Sequence, residues 1–320
     1  MLNLGQTLLL EVFMQRLQLI AALALAWSGP SFASPASQRV CDEPEGWSEV
    51  SRLDARFIVF GESHGTREAP AFVGQLLCAL AQRGERVLLA TELTSSHDPK
   101  LQKAWAAPIE RFPEALLKGG WEKRDDGVGS EAMFDLVAHA RRLREDGFKV
   151  GVTAFNGAKD DEQRERFAKL PAQGPHEAAQ AQNIFEAAEA GGYTRVIVLV
   201  GSFHARKAKT SLGGVEMEPM AVKLARMGPT VSLVMEHAPG STWACQARDD
   251  FEFVPGKPIP ADAISCQEHP AGGKRGVTRR AHMALGALGE DKAREGFDGY
   301  FWVGPVSASP PAIREDAPQS

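Results

Sequence analysis

The chain has 320 residues, of which 43% are hydrophobic and 24% charged, and its formal net charge is −5 at pH 7. This length and composition are those of a globular protein with a sizeable core, built as one large α/β domain or two small ones. The acidic balance and the absence of a basic cluster give no electrostatic reason to expect nucleic acid as a partner.

The N-terminus has the layout of a secretory signal peptide. Residues 17–27 form a short apolar segment after Arg16, and residues 31–33 (Ser-Phe-Ala) match a small-x-small cleavage site. The apolar segment is shorter than a membrane span, so we expect residues 1–33 to be removed on export, with Met14 as the true start. The competing interpretation is an uncleaved anchor. The expected location is the periplasm or the exterior, with no membrane span after cleavage.

Apolar periodicity then predicts strands alternating with helices. Strands are predicted at residues 56–61, 87–90, 148–154, 195–200, 230–235 and 299–303. Helices are predicted at residues 68–83, 101–106, 109–117, 130–146, 176–190 and 219–227, with a charged surface helix or lid within 160–173. This alternation predicts a three-layer α/β/α fold with a mostly parallel central sheet.

Three segments stand apart from that alternation. Residues 97–129 are interpreted as a helical insertion over the carboxyl edge of the sheet, and residues 239–280 have no clean periodicity. A single domain is expected over residues 45–306, and a loose Pro-rich tail over residues 307–320.

Export makes disulfides possible for the four cysteines. Cys245 and Cys266 lie in a late, turn-rich region and are predicted to pair. Cys78 lies on the apolar face of a predicted helix and is expected to be a buried thiol. Cys41 is either free or the partner of a late cysteine, since four cysteines allow three complete pairings.

Ionisable residues follow the predicted strands. Glu62 and His64 follow the first strand, Glu92 ends the second, and His204 follows the fourth in a second Gly-x-x-His pattern. The carboxyl ends of parallel strands form one ligand crevice, so these four side chains are predicted to meet there as catalytic residues.

These four residues, called the quartet below, lie in motifs that resemble those of the erythromycin esterase/ChaN/TIKI superfamily. The motifs are Gly-Glu-Ser-His at 61–64, Leu-Ala-Thr-Glu at 89–92, Gln-Asn-Ile at 182–184, Gly-Ser-Phe-His at 201–204 and Asp-Gly-Tyr-Phe-Trp-Val-Gly at 298–304. The resemblance spans residues 56 to about 306. It departs from the esterases at Gly201, where they carry a histidine, and this brings the second motif closer to TIKI and ChaN.

The resemblance implies three different activities. Erythromycin esterases are hydrolases in which a histidine activates water, TIKI members are metal-dependent peptidases, and ChaN is associated with haem-iron binding. The first two imply a small-molecule or peptide substrate. A haem- or iron-binding protein without catalysis is the main alternative, and a scaffold without chemistry is a third.

Two chemical schemes suit the predicted quartet. In one, His64, Glu92 and His204 bind a divalent metal ion that activates water. In the other, a carboxylate orients His64, which takes a proton from the attacking water. Residues 61–65 (Gly-Glu-Ser-His-Gly) have the spacing of a Gly-x-Ser-x-Gly motif, but Ser63 is interpreted as a turn residue, and a serine nucleophile is not favoured. Arg67 and Asn183 are predicted to bind substrate.

Overall fold

The structure is a computed structural model, and it describes residues 41–121, 124–248, 250–252, 259–287 and 295–313. The predicted signal peptide, residues 1–33, lies outside the described residues. No helix in the described part of the chain combines the length and apolarity needed to cross a bilayer.

A seven-stranded sheet forms the centre of the fold. The strands of the described chain are β1 (Phe57–Glu62), β2 (Val87–Thr94), β3 (Val150–Asn156), β4 (Arg195–Gly201), β5 (Thr210–Leu212), β6 (Val215–Met217), β7 (Thr230–Ala238), β8 (Gly240–Ala247), β9 (Ile264–Ala271), β10 (His282–Leu285) and β11 (Gly299–Pro305). The sheet order is β10-β11-β7-β1-β4-β2-β3, and β5-β6 and β8-β9 form separate hairpins. Within the seven-stranded sheet, neighbouring strands are parallel except β10 and β11, which are antiparallel.

The helices flank this sheet. They are α1 (Trp47–Ser51), α2 (Glu68–Gln82), α3 (Asp98–Trp105), α4 (Phe112–Leu116), α5 (Glu131–Glu145), α6 (Asp161–Phe167), α7 (Gly174–Ala190) and α8 (Met220–Leu224). Short 3-10 turns lie at Ser95–His97, Ile109–Arg111, Gly127–Gly129 and Ala261–Ala263, and a π turn lies at Leu117–Trp121. Ser130 caps α5, because its hydroxyl accepts the Met133 N–H.

The sheet separates two apolar cores, as alternation along a buried strand requires. Ile58 and Phe60 of β1 pack in the core that contains α2 and α5. Phe57 and Val59 pack on the opposite face, against α7 and α8. The predicted three-layer α/β fold with a mostly parallel sheet is therefore confirmed.

The helical insertion is anchored to β3. The Asp98 carboxylate accepts the backbone N–H of Ala154 at 2.7 Å, and the Gln102 amide donates to the carbonyl of Val152 at 2.8 Å. Trp121, at the end of the insertion, is fully buried in the larger core. The insertion is thus a part of that core, packed beside the carboxyl-terminal half of β3.

Two segments that lacked periodicity converge on the turn after β1. Gly65 has a φ of 77°, and a side chain there would overlap the Trp243 carbonyl. The Gly65 carbonyl accepts the N–H groups of Trp243 and Ser309, and the Thr242 hydroxyl donates to the His64 carbonyl at 2.7 Å. Residues 307–309, at the start of the predicted loose tail, therefore bond to this turn, and the Ala312 N–H donates to the Gly129 carbonyl. Residues 314–320 lie outside the described residues.

The cysteines form two disulfides. Cys245 pairs with Cys266 across the β8–β9 hairpin, as predicted. The prediction of a buried thiol at Cys78 is wrong, because Cys78 is bonded to Cys41. Residues 41–46, which we call the lead-in segment, lie against α2, where the Cys41 N–H donates to the Gln82 side chain. Helical periodicity does not reveal which segment, distant in sequence, packs against a helix.

Candidate active site at the carboxyl edge

Strands β1, β4 and β2 are neighbours in the sheet, and their carboxyl ends bring the predicted quartet together. Glu62 is the last residue of β1 and pairs with Gly201, the last residue of β4. Glu92 lies in β2 on the other side of β4. The turns after β1 and β4 then supply His64 and His204. We call this region the carboxyl edge.

His64 lies between two carboxylates. Its Nδ1 is 2.9 Å from Glu62 Oε1, and its Nε2 is 3.3 Å from Glu92 Oε2. Both acids are buried, whereas about a third of the His64 side chain is exposed. Each ring nitrogen therefore faces an acceptor, an arrangement that favours the doubly protonated imidazolium.

His204 has a second carboxylate of its own. Its Nδ1 is 2.7 Å from Glu177 Oε1, and its Nε2 is 3.6 Å from Glu92 Oε1, beyond hydrogen-bond length. Glu177, in the first turn of α7, is fully buried, and its other oxygen accepts the Met220 N–H at 2.7 Å. The carboxylate is thus fixed at both oxygens and holds the His204 ring in one orientation.

Glu92 joins the two pairs. Its Oε2 also accepts the Gly201 N–H at 2.7 Å. A Cβ at position 201 would lie 2.8 Å from His64 Nε2, so the close approach of β4 to the imidazole requires glycine there. Glu62, His64, Glu92, His204 and Glu177 thus form a continuous series of acids and imidazoles, which we call the acid–imidazole chain.

The protonation states follow from burial and neighbours. Burial would raise the pKa of Glu92, but His64, His204 and the Gly201 N–H lower it to about 2. Burial disfavours charge on His64, yet Glu92 and Glu62 outweigh it and raise the pKa of His64 well above its ordinary value.

The pKa shifts at the two ends of the acid–imidazole chain have different causes. Burial raises the pKa of Glu62 despite the opposing effect of His64. For His204, burial lowers the pKa, but the hydrogen bond and charge of Glu177 outweigh it, so the net pKa is raised.

Three polar residues, His176, Gln180 and Asn156, lie beside His204 on the side of β3. The rings of His176 and His204 have centroids 5.8 Å apart, and the Gln180 amide bridges His176 and Asn156. Burial lowers the pKa of His176. Gln180 Oε1 is buried without a hydrogen-bond partner in the described structure, and it remains an acceptor for a donor group.

The donor atoms at this edge suit a divalent metal ion. Imidazole nitrogen and carboxylate oxygen are zinc ligands, and a carboxylate on the far nitrogen of each histidine is the usual support of a ligating imidazole. Three ligand atoms of His176, Glu177 and His204 all lie within 4.8 Å of one another. His64, part of the predicted metal set, is connected to this group through Glu92. The predicted set of His64, Glu92 and His204 stays a prediction.

Arg67 and Asn183 contact other parts of the protein. Arg67 lies at the start of α2, where its guanidinium donates to Glu131 and to the Ala308 carbonyl. Asn183 donates to the carbonyls of Phe155 and Gly157 and accepts from the Gln163 amide. These bonds hold α6, α7 and the end of β3 together. Substrate binding by Arg67 and Asn183 stays a prediction.

Sequence reasoning missed Glu177 and His176. Both are in a helix instead of at a strand end, so the rule that located the quartet does not reach them. The available signal was Glu177 itself, a carboxylate on the helix face that continues through Ile184 and Ala188 into the core. A buried acid requires a partner, and here the partner is His204.

Comparisons with known proteins support the fold. Neither a protein-family model nor a curated protein matches the sequence. A mutant of the erythromycin esterase EreC in its open conformation is similar, with a TM-score of 0.56 at 13% identity over 82% of this chain and 94% of the esterase. A succinoglycan biosynthesis protein has a TM-score of 0.55 at 11% identity over 82% of this chain and 92% of that protein.

These two similarities concern the fold alone, and they confirm the predicted resemblance to the erythromycin esterases at that level. ChaN of Campylobacter jejuni, crystallised with cofacial haem, has a TM-score of 0.33 at 12% identity over 58% of this chain and 84% of ChaN. So small a structural similarity carries no argument about haem.

Proposed function

We propose that this chain, which has the fold of an erythromycin esterase, is an exported hydrolase that cleaves an ester or amide by histidine-activated water. The observation that carries the proposal is the acid–imidazole chain at the carboxyl edge, where an α/β sheet binds its ligands. Ionisable groups with opposing pKa shifts, packed together at a ligand-binding edge, are typical of acid–base sites.

His204 is the general base in this proposal. Its Nδ1 is bound to Glu177, and its Nε2 lies 3.6 Å from the nearest carboxylate oxygen of Glu92. A water molecule that hydrogen-bonds to Nε2 would lose its proton to His204 as its oxygen attacks the substrate carbonyl. The same proton then passes from His204 to the departing alcohol or amine.

His64 is the charged partner. Because Glu62 and Glu92 hold both ring nitrogens, His64 keeps its proton at neutral pH. A fixed positive charge in a crevice stabilises the negative charge that develops on the carbonyl oxygen. The sequence-based scheme makes His64 the general base, whereas this proposal gives that role to His204. The reason is that the ring nitrogen without a hydrogen bond to a carboxylate belongs to His204.

A metal ion is compatible with the same residues. His176, Glu177 and His204 would hold it, and it would supply Lewis-acid activation of water. An imidazole nitrogen that binds the ion cannot also accept a proton from water, so His204 is the general base only in the scheme without the ion. In both schemes Glu92 keeps the two imidazoles together.

Hydrolysis assays with single variants test the proposal. The mature protein is assayed against a panel of chromogenic esters, anilides and peptides, before and after dialysis against a chelator. We expect hydrolysis of at least one substrate, and His204→Ala is expected to lower kcat about 10²- to 10⁴-fold, the usual contribution of a general base. The exposed His97 provides the matched control, and His97→Ala is expected to keep full activity.

Two outcomes would overturn the proposal. Full turnover in both His204→Ala and His64→Ala would separate the activity from the carboxyl edge. A Soret band on haem addition that shifts in His64→Ala, in a protein without hydrolytic activity, would favour the haem-binding alternative.

A further inference from the structure

A cavity with an apolar floor lies between α7, α8 and the segment that follows α6. Its volume is about 370 Å³, within the range of sites that bind small molecules. Its apolar lining comes from Phe167, Leu170, Ala178 and Met227. Met227 is more than a third exposed, so part of this apolar surface faces solvent.

The charged residues around this floor are cations. Arg166, Lys169, Lys223 and Arg226 line the cavity, and none of its described lining residues is acidic. Glu162 pairs with Arg166. Glu218 pairs with Arg226 at 2.6 Å and lies 3.6 Å from Lys223. Two carboxylates therefore offset four cations, and the rim keeps a net positive charge.

We infer that this cavity binds an anionic amphiphile, namely a free fatty-acid anion with a single short chain. The apolar floor removes the hydrocarbon chain from water, and the cations at the rim pair with the carboxylate. A neutral or cationic amphiphile of the same length would bury its hydrocarbon chain on the floor, but its head group would not pair with the cations at the rim. The cations surround a concave pocket of single-ligand size, which favours a free molecule over a lipid surface.

The position of the cavity connects it to the acid–imidazole chain. Ala178 of α7 lines the floor, and it directly follows Glu177. Lys223 of α8 lines the rim, and the same helix begins at Met220, whose N–H binds Glu177. A bound chain would contact both helices that hold Glu177. The binding inference itself does not depend on the proposed hydrolysis.

Calorimetric titration of the mature protein tests the inference. The probes are decanoate, decanol and decyltrimethylammonium, each below the concentration at which it forms micelles. We expect saturable binding of decanoate and at least tenfold weaker binding of the other two. The double variant Arg166→Glu with Lys169→Glu is expected to weaken decanoate binding at least tenfold. The double variant Arg52→Glu with Lys103→Glu, at exposed positions outside the cavity, is the charge-matched control and is expected to bind normally.

Methyl NMR with decanoate keeps the inference testable if a double variant folds poorly. The methyl signals of Met227 and Leu170 in the unmodified protein are expected to shift with decanoate. Equal affinity for decanoate and decanol, or equal loss in both double variants, would overturn the inference. So would decanoate-induced shifts elsewhere that leave Met227 and Leu170 unchanged. Binding to anionic vesicles without binding to decanoate would indicate a membrane surface and would also overturn it.

Discussion

The two histidine–carboxylate pairs of the carboxyl edge share Glu92 but differ in how firmly their outer carboxylates are held. Glu177 uses both oxygens, one on His204 and one on the Met220 N–H. Glu62 binds His64 with one oxygen, and its other oxygen is buried without a hydrogen-bond partner in the described structure. An acid held at both oxygens fixes the orientation of its imidazole, whereas a buried carboxylate oxygen without a donor favours the protonated acid.

This difference implies that the two histidine–carboxylate pairs have different roles. The Glu177 side fixes the orientation of His204. On the Glu62 side, burial raises the pKa of Glu62, so the positive charge of His64 depends mainly on Glu92. The two pairs also differ in origin. Glu62 and His64 are two residues apart, whereas Glu177 and His204 are 27 apart and come together only when α7 packs on the sheet.

The largest difference between the two pairs is expected when each outer carboxylate becomes an amide. Glu177→Gln should lower kcat about 100-fold, because a glutamine cannot hold the tautomer of His204 that leaves Nε2 as the acceptor. Glu62→Gln should lower kcat about tenfold, because Glu92 still contacts His64. Steady-state kinetics and a thermal unfolding scan of both variants measure this. Equal losses in kcat would contradict the comparison.

The pH profile separates the roles of the two histidines. kcat/KM should rise through the pKa of His204, which lies above its ordinary value, because only the neutral ring accepts a proton. It should fall at higher pH as His64, whose pKa is raised further, loses its proton. In His64→Gln the high-pH limb should disappear and the low-pH limb remain. If the low-pH limb disappears instead, the two roles are reversed.

Glu92 contributes stability to both pairs. Its pKa falls from an ordinary 4.5 to about 2 in the folded protein, so its ionised form stabilises the fold by about 3 kcal/mol. A lowered pKa stabilises the fold above the unfolded value and loses this effect as pH falls from 4.5 toward 2. Denaturant unfolding of Glu92→Gln should show the deficit at pH 6 and little of it near pH 2. The exposed Glu110→Gln is the control, and a deficit independent of pH would contradict the assignment.

A smaller effect is expected where β4 meets His64. In Gly201→Ala the new methyl group would lie 2.8 Å from His64 Nε2 and should displace the ring from Glu92. We expect about a tenfold loss in kcat/KM with folding retained, since small misplacements of catalytic groups reduce rates strongly. Gly272→Ala has open space around its Cβ and serves as the control. Unchanged kinetics in Gly201→Ala would show that the ring position is not critical.

The smallest effect on stability and activity is expected for a substitution at Arg67, which contacts neither histidine–carboxylate pair. Arg67→Ala should change the free energy of unfolding by less than about 1 kcal/mol, because its ion pair with Glu131 is largely exposed. We expect kcat to be unchanged. A rise in KM at constant kcat would support the predicted role of Arg67 in substrate binding, and a loss of kcat would point to a direct part in the chemistry.

Local patterns predicted most of the framework. The apolar runs of β1 and β4 and the periodicity of α2 and α5 gave elements whose bounds lie within one or two residues of the structure. These segments bury complete faces, and burial on that scale leaves a regular spacing of apolar residues. Trp121 packs in the core, as an apolar residue of that size is expected to do.

The β8–β9 hairpin lay in a segment without such a pattern. Its residues are mostly half-buried or exposed, so no alternation marks its strands. It is held by a disulfide and by a backbone hydrogen bond from the Trp243 N–H to the Gly65 carbonyl, and a backbone bond does not depend on side-chain identity. For the same reason no side-chain pattern marks residues 307–309, although the Ser309 N–H donates to the Gly65 carbonyl.

The amino-acid sequence by itself determined the order of strands and helices and the placement of Glu62, His64, Glu92 and His204 at or near strand ends, because these follow from short-range spacing. Only the tertiary structure decided that Glu177 faces His204 and that Cys41 meets Cys78. Those contacts depend on how α7 and the lead-in segment pack, and packing is set by the combined fit of many distant side chains instead of by any local pattern.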